Sequence, residues 1–536
     1  MNDVPDHIRA MRAPHFYPHP VREVALRETH ISWVFLTGSL VYKLKKPVDL
    51  GFLDFTTLER REHFCRQEVA LNRRLARDVY LGVVPITREA GGYGLEGEGQ
   101  TVDYAVKMRQ LPAAETLKRR LPDQRFDAAD LDCLALALAR FYDTAATGGE
   151  VDAVGAPETV ARNCEENFEQ TAGAAGVRFD RRTWEVVAAA TRGYLENHHV
   201  LFDKRVADGR IRDGHGDLRT DHVYLTADGI RIVDCIEFND RFRYGDVACD
   251  LAFLAMEMEE EGFSPQAADL TDAFVRHSGD LQLYALLDFY KCYRAMVRLK
   301  VNCLRLAQKH VAAGERETAT AAIERFLALA YRYAVRFSRP VLWVVWGQVA
   351  TGKSTVGRAL GETLDIGILR SDVVRKQLFE RAAGEETVAA FGEGIYSRQA
   401  TALTYGKLLR MTQAEVEQGR SVVLDATFSR RSRRREALRL ANETGAAIVF
   451  VECTCPEATI RRRLAERAGT HGASDARLEH YEALQASFEP GDELPAGCRI
   501  RVDTEQPVAA GLRRIFARLQ APNNCLEERL ALVDGQ

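Results

Sequence analysis

The most constraining stretch of this 536-residue chain is Val341-Leu-Trp-Val-Val-Trp-Gly347-Gln-Val-Ala-Thr-Gly352-Lys353-Ser354-Thr355, an apolar β-type run that empties into Gly-x-x-x-x-Gly-Lys-Ser. That spacing describes a phosphate-binding loop. Gly347 and Gly352 let backbone N–H groups turn inward around β- and γ-phosphate oxygens, and Lys353 reaches the same oxygens. The Ser354 hydroxyl can ligate Mg²⁺, and Thr355 completes the nucleotide-binding set. A helix is expected over residues 354–363, with its N-terminus adding partial positive charge behind the phosphates. Because such a unit starts at its own strand, the residues upstream of Val341 are expected to form a different unit.

Length alone asks for about two to four domains. Hydrophobic content of 46% and charged content of 28% fit a soluble globular chain, and a formal net charge of −4 argues against a protein-wide basic surface for nucleic acid or membrane. The eleven cysteines are scattered, with only Cys453-Thr-Cys455 close together. They read as free thiols in a reducing cytoplasm. Residues 1–20 carry His, Pro and charge where a secretory signal would be apolar, and no apolar run approaches the ~18 to 20 residues of a spanning helix.

Residues 21–112 read as a twisted antiparallel sheet interrupted by one helix. Ile31 to Lys45 holds two β-rich runs around a Thr37-Gly38 turn, Phe55 to Ala76 shows helical spacing with Glu68 beside the apolar stripe, and Val102 to Pro112 returns to strand. In a phosphotransferase, a strand lysine paired with a helix glutamate holds ATP phosphates; Lys43 or Lys45 with Glu68 can supply that pair. Taken alone, a surface lysine and a solvated glutamate is the simpler reading.

From Asp127 to about Leu201 the pattern is helical. Carboxylates then arrive at the ends of short apolar runs: His215-Gly216-Asp217-Leu218 with His222 five residues after Asp217, Ile230-Arg-Ile-Val-Asp234, and Gly245-Asp246-x-x-x-Asp250-Leu-Ala. A carboxylate just after a β-run sits at a loop mouth, where it can accept a hydroxyl proton or hold Mg²⁺. Over residues 25–310 these motifs resemble the aminoglycoside phosphotransferase family, which has a protein-kinase-like fold. The resemblance implies Asp217 as catalytic base, Asp234 as Mg²⁺ ligand, and Asp246 and Asp250 as braces of the catalytic loop. His222 stands where that family usually has the asparagine that serves as a second metal ligand, and imidazole suits hard Mg²⁺ less well than an amide oxygen. The helical stretch Leu281 to Leu329 would shape the acceptor pocket, and Phe337-Ser-Arg-Pro340 marks the expected junction.

Beyond the P-loop, strands are expected at Ile366 to Asp372, Ser421 to Asp425, Ala446 to Glu452 and Arg499 to Asp503, separated by helices, so a parallel sheet follows. Asp372 and Asp425 fall at carboxyl ends of strands, where such sheets bind ligands. Thr459 to Arg467 resembles the arginine-bearing lid of small P-loop kinases, which implies that Arg463 and Arg467 neutralise charge on the transferred phosphoryl group. Residues 341–505 are thus similar to the gluconate kinase, polynucleotide kinase and zeta-toxin group. That resemblance implies Asp372 as base toward the acceptor hydroxyl, Arg375 as acceptor-orienting residue and Asp425 as Mg²⁺-water partner.

The expected fold is therefore multidomain, α+β followed by α/β. A bilobal kinase-like domain over 1–338 (N-lobe about 21–112, helical C-lobe about 113–335) precedes a P-loop NTPase domain with a parallel sheet over 339–520 and a tail over 521–536. The expected function is a cytoplasmic, bifunctional ATP- and Mg²⁺-dependent phosphotransferase acting on hydroxyl groups of small molecules, with no membrane partner. Two alternatives stay open. The first domain could be a degenerate ATP-binding regulator of the second, or the enzyme could act on nucleic-acid ends through the cluster Arg430-Arg-Ser-Arg-Arg-Arg435. Neither acceptor nor oligomeric state follows from the sequence.

Overall fold

In the computed structural model, which describes residues 4–308, 311–379, 394–467 and 481–520, the start of the chain pairs into a six-stranded antiparallel sheet. The strands are β1 (Ala25–Glu28), β2 (Ser32–Leu36), β3 (Leu40–Lys45), β4 (Tyr80–Glu89), β5 (Gly92–Leu95) and β6 (Gln100–Arg109), in the order β1-β2-β3-β6-β4-β5. The turn between β2 and β3 closes through Thr37, whose hydroxyl donates to the Leu40 carbonyl, while Gly38 takes a positive φ of 94°. Alternation along β3 sorts its side chains: Tyr42 and Leu44 enter a core with Phe35, Val84, Ile86 and Ala105, so Lys43 and Lys45 emerge together on the other face. That face receives the helix Leu58–Asn72. Thr57 caps it by accepting the Arg60 N–H, and Cys65 and Val69 bury against Val79, Tyr80 and Val106.

Two short antiparallel pairs follow, β7 (Ile211–Asp213) with β10 (Tyr244–Asp246) and β8 (Val223–Thr226) with β9 (Gly229–Ile232). The helix Val247–Glu260, buried over most of its length, packs on β10 and on the helix Ser264–Ser278, which in turn packs on Ala128–Thr144.

The remaining strands form a five-stranded parallel sheet: β11 (Val341–Trp346), β12 (Gly367–Arg370), β13 (Val422–Asp425), β14 (Ala447–Thr454) and β15 (Arg499–Asp503), ordered β12-β13-β11-β14-β15. β11 and β14 read as continuous apolar runs because helices cover both faces of a parallel sheet. β11 lies in the middle, with successive connections leaving to either side, and the P-loop opens from its carboxyl end. The expected helix after the loop runs Lys353–Leu364.

Compact packing divides the chain into Met1–Val160 with Arg205–Ser278, and Ala161–Lys204 with Gly279–Gln536. The helices before Pro340 thus group with the parallel sheet, for a local reason: Tyr284 stacks on Phe516 at 4.9 Å, Phe516 meets Trp343 edge-on at 6.3 Å, and Lys204 pairs with Asp365 at 3.1 Å. The stretch expected as one helical run from Leu281 to Leu329 is two helices, Leu283–Leu306 and Ala313–Ser338. The second runs to within two residues of β11, so Pro340 ends a helix without opening a linker. The tail 521–536 lies outside the described residues.

Candidate active sites

The first site gathers on the lysine face of β3. Lys43 Nζ lies 2.6 Å from Asp234 Oδ1 and 2.9 Å from Glu68 Oε1; the latter is an ion pair without aligned hydrogen-bond geometry. Lys45 takes the other oxygen of the same carboxylate, Nζ to Glu68 Oε2 at 2.8 Å, and pairs also with Glu237. The two lysines differ in access. Lys45 is 1% exposed and packs over the Phe55 ring, whereas Lys43 retains 15% exposure and faces Asp234. Burial alone would push the Lys43 ammonium down, but Asp234, Glu68 and Glu237 outweigh it and hold it well above its ordinary value. For Asp234, desolvation works to raise the carboxyl, and Lys43 and His222 overcome it, leaving it below the usual carboxylate range.

Asp234 follows β9 by two residues with φ of +66°, and its N–H donates to the Tyr80 hydroxyl at 3.1 Å. The next residue is fixed too, since Cys235 N–H donates to Asn72 Oδ1, one helical turn after Glu68. On the preceding loop, Asp250 accepts the N–H groups of His215 (2.7 Å) and Gly216 (3.0 Å), and the Tyr142 hydroxyl donates to it. Gly216 is required there: its φ is +82°, and a Cβ would come within 2.5 Å of the Phe242 carbonyl. Asp246 caps the helix Val247–Glu260 through the Ala248 N–H and holds the buried Arg205 by two bonds of 2.9 and 2.6 Å. These contacts hold the loop that presents Asp217, whose carboxylate is 31% exposed, 3.6 Å from His222 Nδ1 and 4.0 Å from Arg219. His222 Nε2 stands 3.6 Å from Asp234 Oδ2.

At the second site, the P-loop glycines show why no larger residue serves. Gly347 has φ of +143° and a Cβ there would lie 2.5 Å from the Cys453 carbonyl; Gly352 has φ of +84° and caps the helix that follows. Lys353 Nζ donates to the Gln348 carbonyl at 2.6 Å, back across the loop, and Ser354 and Thr355 occupy the first helical turn. Asp425 ends β13, paired in register with Val345 and Arg370, and accepts from Arg370 Nε at 3.2 Å.

Asp372 was expected at a strand end. It lies instead in the first turn of the helix Ser371–Leu378, because β12 stops at Arg370. Burial raises the Asp372 carboxyl, Arg375 opposes that, and Asp425 adds to it. Arg375 sits one turn on, 3.4 Å from Asp372 and stacked on Tyr396 at 4.8 Å, with its Nε buried and, among the described residues, without a hydrogen-bond partner. Arg463 is tied down, donating to the Thr504 hydroxyl and carbonyl and, at 3.4 Å, to the Ala350 carbonyl of the P-loop. The Arg467 side chain lies outside the described residues.

Two residues here carry little sequence signal, and the arginine cluster sits in a different setting from the one that would meet nucleic-acid ends. Glu237 pairs with Lys45, and its only sequence signal is its place three residues after Asp234. Tyr405 had no signal: from a separate helix it accepts the Phe428 N–H, meets Thr427 at 3.3 Å and carries Arg433 over its ring. The arginine cluster is mostly neutralised inside the fold, with Arg430 on Glu489, Arg433 on Glu436, and Arg434 fully buried on Glu493 and over Trp346.

Among the described residues, no group of three or more His, Cys, Asp or Glu side chains is arranged to hold a metal by itself. The residues fit an ion that takes most of its ligands from phosphate oxygens and water, as Mg²⁺ does, with one carboxylate from Asp234 at one site and Ser354 with Asp425 near the other.

A P-loop on a parallel sheet, together with lysines of an antiparallel sheet that meet a helix glutamate and a loop aspartate, defines an ATP-dependent phosphotransferase. The AAA domain family model matches residues 342–491. The chain belongs to the family of the Mycobacterium tuberculosis protein Rv2004c, itself described only as uncharacterized: the two are 33% identical over 499 residues, covering 91% of this chain and 94% of the mycobacterial one. A shikimate kinase of Corynebacterium efficiens is 27% identical over 173 residues, 32% of this chain and 91% of that enzyme. Among solved structures, a choline/ethanolamine kinase family protein from Mesorhizobium loti aligns at 14% identity over 61% of this chain and 98% of its own (TM-score 0.36). A gluconokinase from Sinorhizobium meliloti aligns at 19% identity over 34% and 93% (TM-score 0.25). Among the described residues, no helix is long and apolar enough to cross a membrane.

Proposed function

We propose that the chain is a bifunctional cytoplasmic enzyme with two ATP/Mg²⁺ sites, each transferring a γ-phosphoryl group to a hydroxyl of a small molecule. The observation that carries the reading is the position of Lys43, a cation within 3 Å of both Glu68 and Asp234. In phosphoryl transfer a lysine so placed orients the phosphates, the aspartate holds the metal, and a nearby carboxylate receives the acceptor proton. In the first site those roles fall to Lys43, Asp234 and Asp217. In the second, Lys353 and the loop hold the β- and γ-phosphates, Ser354 and Asp425 serve Mg²⁺, and Asp372 is the base. The raised pKa of Asp372 makes it a better proton acceptor once ionised. Arg375 orients the acceptor, and Arg463, fastened to the P-loop backbone, supports the charge on the phosphates. Mg²⁺, when bound, would neutralise the phosphate oxygens and draw charge from the bond that breaks.

A small-molecule acceptor is favoured over nucleic acid, because the arginine cluster that would meet a phosphate backbone is largely paired within the fold. The shikimate kinase relative points the same way for the second site. A second reading, an ATP-sensing first domain that governs the P-loop site, is favoured by His222, which stands 3.6 Å from Asp234 in place of an oxygen ligand. Screening small hydroxyl compounds with γ-labelled ATP on the full chain, Lys353→Ala and Asp217→Asn separates the two. Bifunctionality requires that each variant keep one activity and lose the other. If Lys353→Ala abolishes all transfer while Asp217→Asn abolishes none, the first site is not an enzyme.

A further inference from the structure

Two lysines on one strand, two residues apart, share one glutamate, and only the outer of them faces the proposed nucleotide site. The inner one is a puzzle. Lys45 is closed off from solvent, with its ammonium between Glu68 Oε2 at 2.8 Å and Glu237, over the Phe55 ring. Burying a charge is costly unless its partners are fixed, and a buried pair is weak evidence for stability as such. In some proteins such a pair is retained because it fixes geometry. What it fixes here can be read from its ends. Glu68 is the carboxylate that holds Lys43, and Glu237 stands three residues after Asp234 on the same short loop.

We infer that Lys45 and Glu237 form a buried tether that positions Asp234 and Glu68 for the metal–nucleotide complex, an inference that rests on the first-site reading above. Lys45 anchors the second oxygen of Glu68, which leaves the first for Lys43 at 2.9 Å. Glu237, held by Lys45, fixes the far end of the loop, while Tyr80 and Asn72 fix its near end through the N–H groups of Asp234 and Cys235. With both ends held, Asp234 keeps its left-handed backbone at φ of +66° and its carboxylate 2.6 Å from Lys43. Loss of the tether leaves the far end of the loop to the backbone bonds of Ile236, its N–H to the His215 carbonyl and its carbonyl to Arg243, and lets Glu68 turn. Neither Lys45 nor Glu237 touches the nucleotide; both act through residues that do. Partners at this remove from a metal commonly alter its affinity by about 10- to 100-fold.

The test uses the full chain carrying Lys353→Ala, so that nucleotide binding reports on the first site. A non-hydrolysable ATP analogue is titrated calorimetrically at a series of Mg²⁺ concentrations and in EDTA, with Asp234→Ala as the control that removes the first site's metal-dependent signal. Glu237→Gln and the paired Lys45→Met/Glu237→Met change are compared with this parent; the pair removes both charges together, so no buried ion is left alone if the single change fails to fold. The Mg²⁺ concentration for half-maximal binding is expected to rise about tenfold or more in both, with metal-free affinity moving less than about threefold. A merely structural role would move both affinities together or neither, and either result overturns the tether. A parent whose binding is already the same as Asp234→Ala removes the first-site reading, and the tether falls with it.

Discussion

His222 donates from Nδ1 to the backbone carbonyl of Asp217 at 2.8 Å, which turns Nε2 toward Asp234, 3.6 Å from Oδ2. Since a carbonyl only accepts, the proton on Nδ1 is fixed by geometry. One ring therefore ties the proposed base to the proposed metal ligand, at a position where the resembled family places an amide. An asparagine there would offer Mg²⁺ an oxygen, which this ion prefers to imidazole nitrogen. His222→Asn, in a Lys353→Ala background, is expected to lower the Mg²⁺ concentration needed for nucleotide binding by several-fold. An unchanged or higher requirement would show that His222 is part of the site as it works.

Asp217 and Asp234 should separate chemistry from binding. Asp217→Asn removes the proposed base and leaves Lys43, Glu68 and Asp234 in place, so first-site transfer should fall by about 10² or more with nucleotide affinity nearly unchanged. Asp234→Ala removes the closest partner of Lys43, and affinity for Mg²⁺-ATP should drop with it. The check is ADP release and nucleotide titration on each variant; transfer by Asp217→Asn at the parent's rate would rule out its role as base.

Much of this was legible in the sequence, and the pattern of what was not has a physical cause. The P-loop could be placed because its strand, glycines and helix are contiguous, and β3 could be placed because alternation is local. The choice between Lys43 and Lys45 was not legible. Both lie on the same face of the strand, and the difference between them comes from Glu237 and Asp234, about 190 residues away in sequence. Tyr405 was hidden for the same reason, since a tyrosine on a helix announces nothing until Thr427 lies beside it. The grouping of residues 279–338 with the parallel sheet draws on contacts such as Tyr284 against Phe516, which no local pattern encodes.

Lys353 tests the second site at small structural cost. Its ammonium donates to the Gln348 carbonyl within its own loop, and the side chain is largely buried there. Lys353→Ala is expected to reduce P-loop transfer by two orders of magnitude or more, roughly 3 kcal/mol of lost transition-state stabilisation, with the melting temperature moving by no more than about 2 °C. These are read from label transfer and calorimetry on the full chain carrying Asp217→Asn. Turnover within a few-fold of the parent would remove the assignment.

The last prediction concerns acid stability and His215. This ring is buried, donates from Nε2 to the Val233 carbonyl at 3.0 Å and accepts the Asp217 N–H on Nδ1 at 3.3 Å, so the fold requires the neutral ring. Burial is the main reason its pKa falls to about 4; Asp250 opposes that and His222 adds to it. The folded value lies below the ordinary 6.5, so between the two the unfolded chain binds the extra proton. The stabilisation is therefore complete above pH 6.5 and is lost as pH falls toward 4, by roughly 3 kcal/mol over that window. His215→Gln keeps a donor for the Val233 carbonyl and does not titrate, so its unfolding free energy should be flatter across pH 4 to 6.5 than the parent's, whatever its absolute value. Urea unfolding of the full chain at several pH values measures both slopes. Equal slopes would mean that another group carries the acid sensitivity.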